Sequence, residues 1–188
     1  MELTIRRLDT SLIEDYLSFF DNSFCDHEEW SWCYCTFYCG DFECEEKNQA
    51  RETARRLITE GKISGYLAYA QGETVGWCNA STRESYPRLE NDGFCFGAGL
   101  RVKSIVCFLI RPDKRRSGIA SALLERVLRD AREEGYDVVE AYPSKSEPNQ
   151  YSHYHGFPLM YEREGFTEYK NLEKFVIIRK NLGEILGE

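Results

Sequence analysis

Residues 104–143, SIVCFLIRPDKRRSGIASALLERVLRDAREEGYDVVEAYP, decide how the rest of the chain is arranged. The stretch opens on six apolar residues in a row, Ile105 to Ile110, four of them β-branched or aromatic. That composition suits a strand buried on both faces. Pro112 ends its ladder, because proline has no N–H to give. After the basic turn Asp113-Lys114-Arg115-Arg116-Ser117-Gly118 the period changes. Ile119, Leu123, Val127 and Ala131 recur every fourth residue, with Ala120, Leu124 and Leu128 beside them, which makes one apolar stripe of a helix. Glu125–Arg129 and Arg126–Asp130 can pair on its opposite side. Gly135 suits the C′ position, and Asp137 to Tyr142 reads as a second strand. The unit is strand, anion-ready turn, helix, strand.

The turn carries the chemistry. Gly118 and Ala120 let a ligand approach the backbone, and the first N–H groups of the helix have no internal partners. With Lys114, Arg115 and Arg116 they would form a diphosphate site at the positive end of the helix dipole. The competing reading is a solvated basic loop before an ordinary amphipathic helix. Neither the Gly-Lys-Ser/Thr of a P-loop nor the G-x-G-x-x-G of a dinucleotide fold is present here.

Arg115-Arg116-Ser117-Gly118-Ile119-Ala120 resembles the R/Q-x-x-G-x-G/A coenzyme A signature of the GNAT acetyltransferase superfamily, just past a strand ending in x-x-Pro. Tyr161-Glu162-Arg163-Glu164-Gly165-Phe166 resembles that family's Y-x-k-x-G-F ending. The likeness is specific over about 102–170 and loose before it. One position departs: where many members carry Asn, seven residues before the Tyr, this chain has Tyr154.

The remaining segments read in a compatible order. Leu3 to Leu8 begins as an alternating strand, and Leu12 to Phe20 forms a helix capped from Asp9, Thr10 or Ser11. A second helix spans about 45–60, with Ala50, Ala54, Leu57 and Ile58 inward. Ser64 to Ala70 and Thr74 to Ala80 flank a hairpin turn at Gln71-Gly72-Glu73. Residues 81–100 read as a loop. Pro158 implies a late or kinked start for a fourth helix. Phe166 to Tyr169 and Phe175 to Arg179 read as the last strands.

The chain has 188 residues, 42% of them hydrophobic and 30% charged, the composition of one ordinary globular domain. No apolar run approaches a membrane span and no signal-peptide pattern follows Met1, so a cytoplasmic location is expected, with no membrane partner. A net charge of −8 argues against nucleic acid as a partner and makes the basic run from Arg111 to Arg116 stand out. The eight cysteines then read as free thiols.

The resemblance implies an α/β (α+β) GNAT fold: a mixed central sheet of about six or seven strands, splayed at the middle and flanked by about four helices. One acyltransferase domain would occupy 1–180, with a short tail at 181–188. It implies acetyl transfer from acetyl-CoA, as co-substrate and without a metal, to an amine by direct attack. Pantetheine would pair with the backbone near Phe108, Leu109 and Ile110. The diphosphate would lie across Arg116, Ser117, Gly118, Ile119, Ala120 and Ser121, with Arg115 beside it. Tyr161 matches the position of the general acid, and a phenol of pKa ~10 can protonate a thiolate of pKa about 8.5; the alternative is a Tyr packed beneath the helix. Ile105 to Ile110 holds no carboxylate, so Glu140 on the neighbouring strand is the candidate base, acting through water; the alternative is a Glu facing solvent or paired with an Arg. His153 and His155 titrate in a suitable range, although their segment reads as surface.

Residues 21–46 are the most unusual. They hold eight acidic residues (Asp21, Asp26, Glu28, Glu29, Asp41, Glu43, Glu45, Glu46) before any Lys or Arg, interleaved with Phe24, Trp30, Trp32, Tyr34, Phe37, Tyr38 and Phe42. In the family arrangement this segment walls the acceptor site, which points to a small cationic amine through cation–π contact and charge pairing. A hydrophobic lid with solvated acids is the alternative. Cys25, Cys33, Cys35, Cys39 and Cys44 share the segment with weak zinc-like spacing. Two other classes stay open: an acyl-CoA-binding sensor without turnover, and a metal- or redox-responsive interaction module built on these cysteines. A homodimer is compatible with the sequence.

Overall fold

The computed structural model describes residues 2–23, 32–40, 46–91, 93–94, 99–145 and 153–183. Seven strands are present among them: β1 Leu3–Arg7, β2 Gly65–Ala70, β3 Glu73–Thr82, β4 Val102–Ile110, β5 Val138–Ala141, β6 Thr167–Asn171 and β7 Val176–Asn181. They form one sheet in the order β1-β2-β3-β4-β5-β7-β6. Every pairing is antiparallel except β4 with β5. A parallel pair needs a crossover, and α4, Ile119–Glu133, supplies it. The other helices are α1 Ile13–Ser23, α2 Lys47–Thr59, α3 Pro87–Asn91 and α5 Pro158–Arg163.

Each face of the sheet buries its own core. Against one face α1 and α2 bring Tyr16, Leu17, Phe20, Ala54 and Leu57 onto Trp77, Val106 and Leu109. Against the other, the α4 stripe places Ile119, Leu123, Leu124, Val127 and Leu128 on Cys78, Ile105 and Phe108. Each fully buried aliphatic side chain of this kind contributes about 1.5–3 kcal/mol. The β2–β3 hairpin turns through Gln71 and Gly72, both at positive φ (54° and 83°), as a type I′ turn requires.

Three elements differ from the expectation. Residues 81–100 are not all loop: α3 starts on Pro87 after a 3-10 turn at Arg83–Ser85, and Tyr86 and Leu89 anchor it in the core. The central strand begins at Val102 and so includes two buried polar residues. Lys103 is accommodated because its ammonium meets Glu134 at 2.9 Å and lies 4.9 Å from the Tyr136 ring. α5 starts on Pro158 itself, the late start that this proline implies, and α3 brings the helices among the described residues to five. β7 continues to Asn181.

The decisive feature is where the parallel pair ends. β4 and β5 pair from Val102↔Val138 to Ile105↔Ala141, where β5 stops. β4 runs on to Ile110 with its β3 partners only, so the sheet opens between its two central strands. β7 follows β5, and the Ser144↔Phe175 bridge continues that half past the opening. At the mouth the β3 register slips: Asn79 faces Cys107 and Ala80 faces Ile105, leaving Val106 unmatched. Consequently Val106 and Cys107, adjacent in sequence, both belong to the α1/α2-side core, while Ile105 and Phe108 belong to the α4 side.

Candidate active site

The basic turn leads out of β4 through a 3-10 turn at Pro112–Lys114 and enters α4 through Gly118, whose φ is +83°. A Cβ there would meet no atom, so glycine is required for its left-handed backbone rather than for space. Arg116 is also left-handed, at φ +59°. Among the described residues each amide from Arg116 to Ser121 donates to no protein acceptor; the first helical bond runs from the Ala122 N–H to the Gly118 carbonyl at 3.0 Å. The Ser117 hydroxyl turns away to the Lys114 carbonyl at 2.5 Å, so no side chain caps the helix. Arg111 is committed elsewhere, to Glu73 and Asp113, both at 2.7 Å. Arg115, Arg116, Ser117, Gly118 and Ser121 are exposed, Ala120 is half-buried, and only Ile119 is buried. The result is a row of exposed, unpartnered amides at a helix N-terminus, the geometry that holds phosphate oxygens.

Along the opening, Phe108 and Leu109 are buried on opposite faces and Ile110 is half-buried. A 3-10 turn at His153–His155 packs alongside β4. Tyr161 of α5 is fully buried beside it, its ring 6.3 Å from that of Phe108, and its hydroxyl donates to the His155 carbonyl at 2.7 Å. Burial pushes that phenol well above its ordinary 10, so it keeps its proton. Gly156 lets the ring in: a Cβ at that position would stand 2.8 Å from the Tyr161 hydroxyl.

Glu140 lies elsewhere than a base through water would require. It sits opposite Ser104, within the closed part of the β4–β5 pair, and is fully buried. Oε2 accepts from Arg179 Nε at 2.5 Å, and Oε1 accepts from the Tyr142 hydroxyl at 2.6 Å. Both oxygens are engaged and no water reaches them, so the carboxylate pins β5 to β7. Only the cross-strand neighbour, Arg179 opposite Glu140, could have signalled this, and a single chain does not show which strands pair.

His155, expected at the surface, is 3% exposed, and among the described residues neither ring nitrogen has a hydrogen-bond partner. Tyr154 lies 4.0 Å from it centroid to centroid and Phe175 lies 5.4 Å away. The row continues through Phe94 to Tyr142. Desolvation lowers the imidazole from its ordinary 6.5 to about 4. The unfolded chain therefore takes up a proton that the folded chain refuses. Stability is full above pH 6.5 and falls as pH drops toward 4, by about 3 kcal/mol in all. We expect the urea midpoint to fall over this interval, and His155→Gln to remove that part of the fall. Parallel curves for the two proteins would contradict the burial.

Much of the acidic, aromatic segment lies outside the described residues, including Phe24, Trp30, Phe42, Cys25, Cys44 and all of its acids except Asp21 and Glu46. The described part is largely self-satisfied. Asp21 accepts from Arg51 at 3.0 Å and from the Tyr34 hydroxyl at 2.5 Å, and the Phe37 ring lies 4.5 Å from the Arg88 guanidinium. Burial pushes the Tyr38 and Tyr154 hydroxyls above their ordinary value, with Cys107 of β4 adding to both. Cys33, Cys35, Cys39, Cys78 and Cys107 are free. Hydrogen bonding to Cys107 and burial push the Cys35 thiol well above the usual range, which disfavours the thiolate. Among the described residues no group of His, Cys, Asp and Glu is arranged to hold a metal, and no helix is long and apolar enough to cross a membrane.

A mixed sheet opened between its parallel central strands, with an unpartnered helix N-terminus at the head of the opening, defines an acyl-coenzyme A transferase class. Residues 12–166 match the acetyltransferase (GNAT) family, and the chain belongs to it. Solved structures share the fold over nearly the whole length. They include an N-acetyltransferase from Staphylococcus aureus (14% identity, 97% of this chain and 100% of that one, TM-score 0.58). Two others are PaiA N-acetyltransferase from Thermoplasma acidophilum in complex with coenzyme A (15%, 96% and 99%, 0.58) and a polyamine N-acetyltransferase from Drosophila melanogaster (12%, 95% and 98%, 0.55). No curated protein matches by sequence.

Proposed function

We propose that this chain moves the acetyl group of acetyl-CoA directly onto the amine of a small cationic acceptor. The carrying observation is the run of unpartnered amides from Arg116 to Ser121 beside the opened β4–β5 pair. The amides of that turn would hold the diphosphate, with Arg115 and Arg116 adding charge, and the backbone of Phe108 to Ile110 would pair with the pantetheine arm. The amine nitrogen attacks the thioester carbonyl: a C–N bond forms, the C–S bond breaks, and the amine loses one proton. Tyr161, protonated by virtue of its burial, gives a proton to the departing thiolate. The Thermoplasma relative's complex with coenzyme A and the Drosophila relative's polyamine chemistry support the donor and the acceptor class respectively.

The test is thiol release from acetyl-CoA against polyamines, amino acids, aminoglycosides and peptide N-termini. We expect saturable turnover with at least one primary amine, and intersecting double-reciprocal lines as a ternary complex requires. Saturable coenzyme A binding without turnover on any amine would replace the enzyme by a sensor.

A further inference from the structure

We propose that Tyr142 sets the length of the acyl group, its ring closing the blind end of the opening so that acetyl fits and longer chains do not. The inference rests on the donor placement in the acetyl-transfer reading above and deepens it by naming what limits the donor. On that reading the pantetheine arm runs along Phe108 to Ile110, so the thioester lies deeper, beside Cys107 and Val106. Beyond them the strands meet. Ile105 pairs with Ala141, and one further step of the same register would set Tyr142 against Val106. There β5 has ended, and Tyr142 leaves the strand at the point of the wedge. Tyr142 and Val106 belong to the core on the α1/α2 side, while Ile105, Phe108, Ala141 and Tyr161 fill the α4 side. Ile105, Val106, Ala141 and Tyr142 are each at most 2% exposed. An acyl chain reaching past the acetyl methyl therefore meets side chains packed at interior density.

The ring is held by more than packing. Its hydroxyl donates to Glu140 Oε1 at 2.6 Å and lies 2.7 Å from the Ser104 hydroxyl. The same carboxylate accepts from Arg179 Nε at 2.5 Å, and the Phe94 ring meets the Tyr142 ring edge-on at 5.6 Å. The phenol is thus tied to β4 through Ser104, to its own strand through Glu140 and to β7 through Arg179. It cannot swing aside without leaving a buried carboxylate short of a donor. The buried Glu140–Arg179 pair, which the transfer chemistry does not use, holds the wall in place. Neither residue needs contact with water or with the amine for this, because burial is what a wall requires. One methylene that fails to fit an apolar site is worth roughly 10- to 200-fold in kcat/KM.

The experiment reads two quantities for acetyl-, propionyl- and butyryl-CoA: affinity by calorimetry without an amine, and kcat/KM with the best amine of the panel. Wild type should bind butyryl-CoA at least about tenfold more weakly than acetyl-CoA and use it at least about 100-fold less well, with propionyl-CoA between them. Tyr142→Leu removes the ring and should bring the acetyl-to-butyryl ratio of kcat/KM below about 10. Tyr142→Phe keeps the ring and should hold that ratio within about fivefold of wild type. Coenzyme A itself, which carries no acyl group, should bind all three proteins within about threefold. Equal affinities of wild type for acetyl- and butyryl-CoA would overturn the assignment, and this result stands whether or not Tyr142→Leu folds. An unchanged ratio in Tyr142→Leu, or an equal loss in Tyr142→Phe, would overturn it as well. Failure of every amine to release thiol from bound acetyl-CoA would overturn the transferase reading alone, since the affinity series needs no turnover.

Discussion

Replacing Tyr161 by Phe should lower kcat about 100-fold while coenzyme A affinity stays within a factor of about three. The expectation follows from what the hydroxyl does and does not touch. Its ring fills a core position against Phe108 and Phe166, which phenylalanine fills equally well. Only the O–H is lost, with its bond to the His155 carbonyl. That bond is worth about 1 kcal/mol, too little to unfold a domain of this size. The turn from Arg115 to Ala120 is a separate element and keeps its shape. What disappears is a buried donor that can satisfy a leaving thiolate. Because burial raises this phenol, the acid form persists above its ordinary 10, so no alkaline fall in kcat below that pH should arise from Tyr161. Stopped-flow or steady-state thiol release, read beside coenzyme binding by calorimetry, measures both quantities. Unchanged kcat in the variant would leave Tyr161 a packing residue.

The second large effect belongs to the turn. Gly118→Asn and Gly118→Asp place side chains of nearly equal size at a left-handed residue that both tolerate better than most, and a Cβ there meets open space. Each variant therefore bears a similar backbone cost, about 1 kcal/mol. They differ by one charge. A carboxylate about 5 Å from a phosphate charge costs roughly 3 kcal/mol at an effective dielectric constant of about 20. Asp should therefore bind coenzyme A about 100-fold more weakly than Asn, and the gap should narrow with added salt. Equal affinities for the two variants would move the diphosphate away from the Arg116–Ser121 amides.

The parts that were legible in the sequence are those in which neighbouring residues serve one another. Ile105 to Ile110 and the stripe from Ile119 to Ala131 announce strand and helix because side-chain period and backbone geometry are local. Arg115 to Ala120 announces a basic turn into a helix because a helix N-terminus and its glycine are consecutive residues. The Tyr161–Phe166 ending is also a short run. By contrast, α3 has five residues, too few for a period, and is held by where Tyr86 and Leu89 land. The start of β4 was missed because Lys103 is polar, and its burial becomes tolerable only when Glu134, distant in sequence, arrives beside it.

The chain alone therefore determined the strand, basic turn and helix unit with its unpartnered amides, since these are set by adjacent residues. It left the proton traffic undetermined. Glu140 and His155 were both read by residue type, and tertiary packing set them apart: the strand β7 delivered Arg179 to the carboxylate, while an aromatic row closed around an imidazole that has no partner among the described residues. A titratable group's role depends on what surrounds it in space, and those neighbours come from strands and turns far apart in sequence.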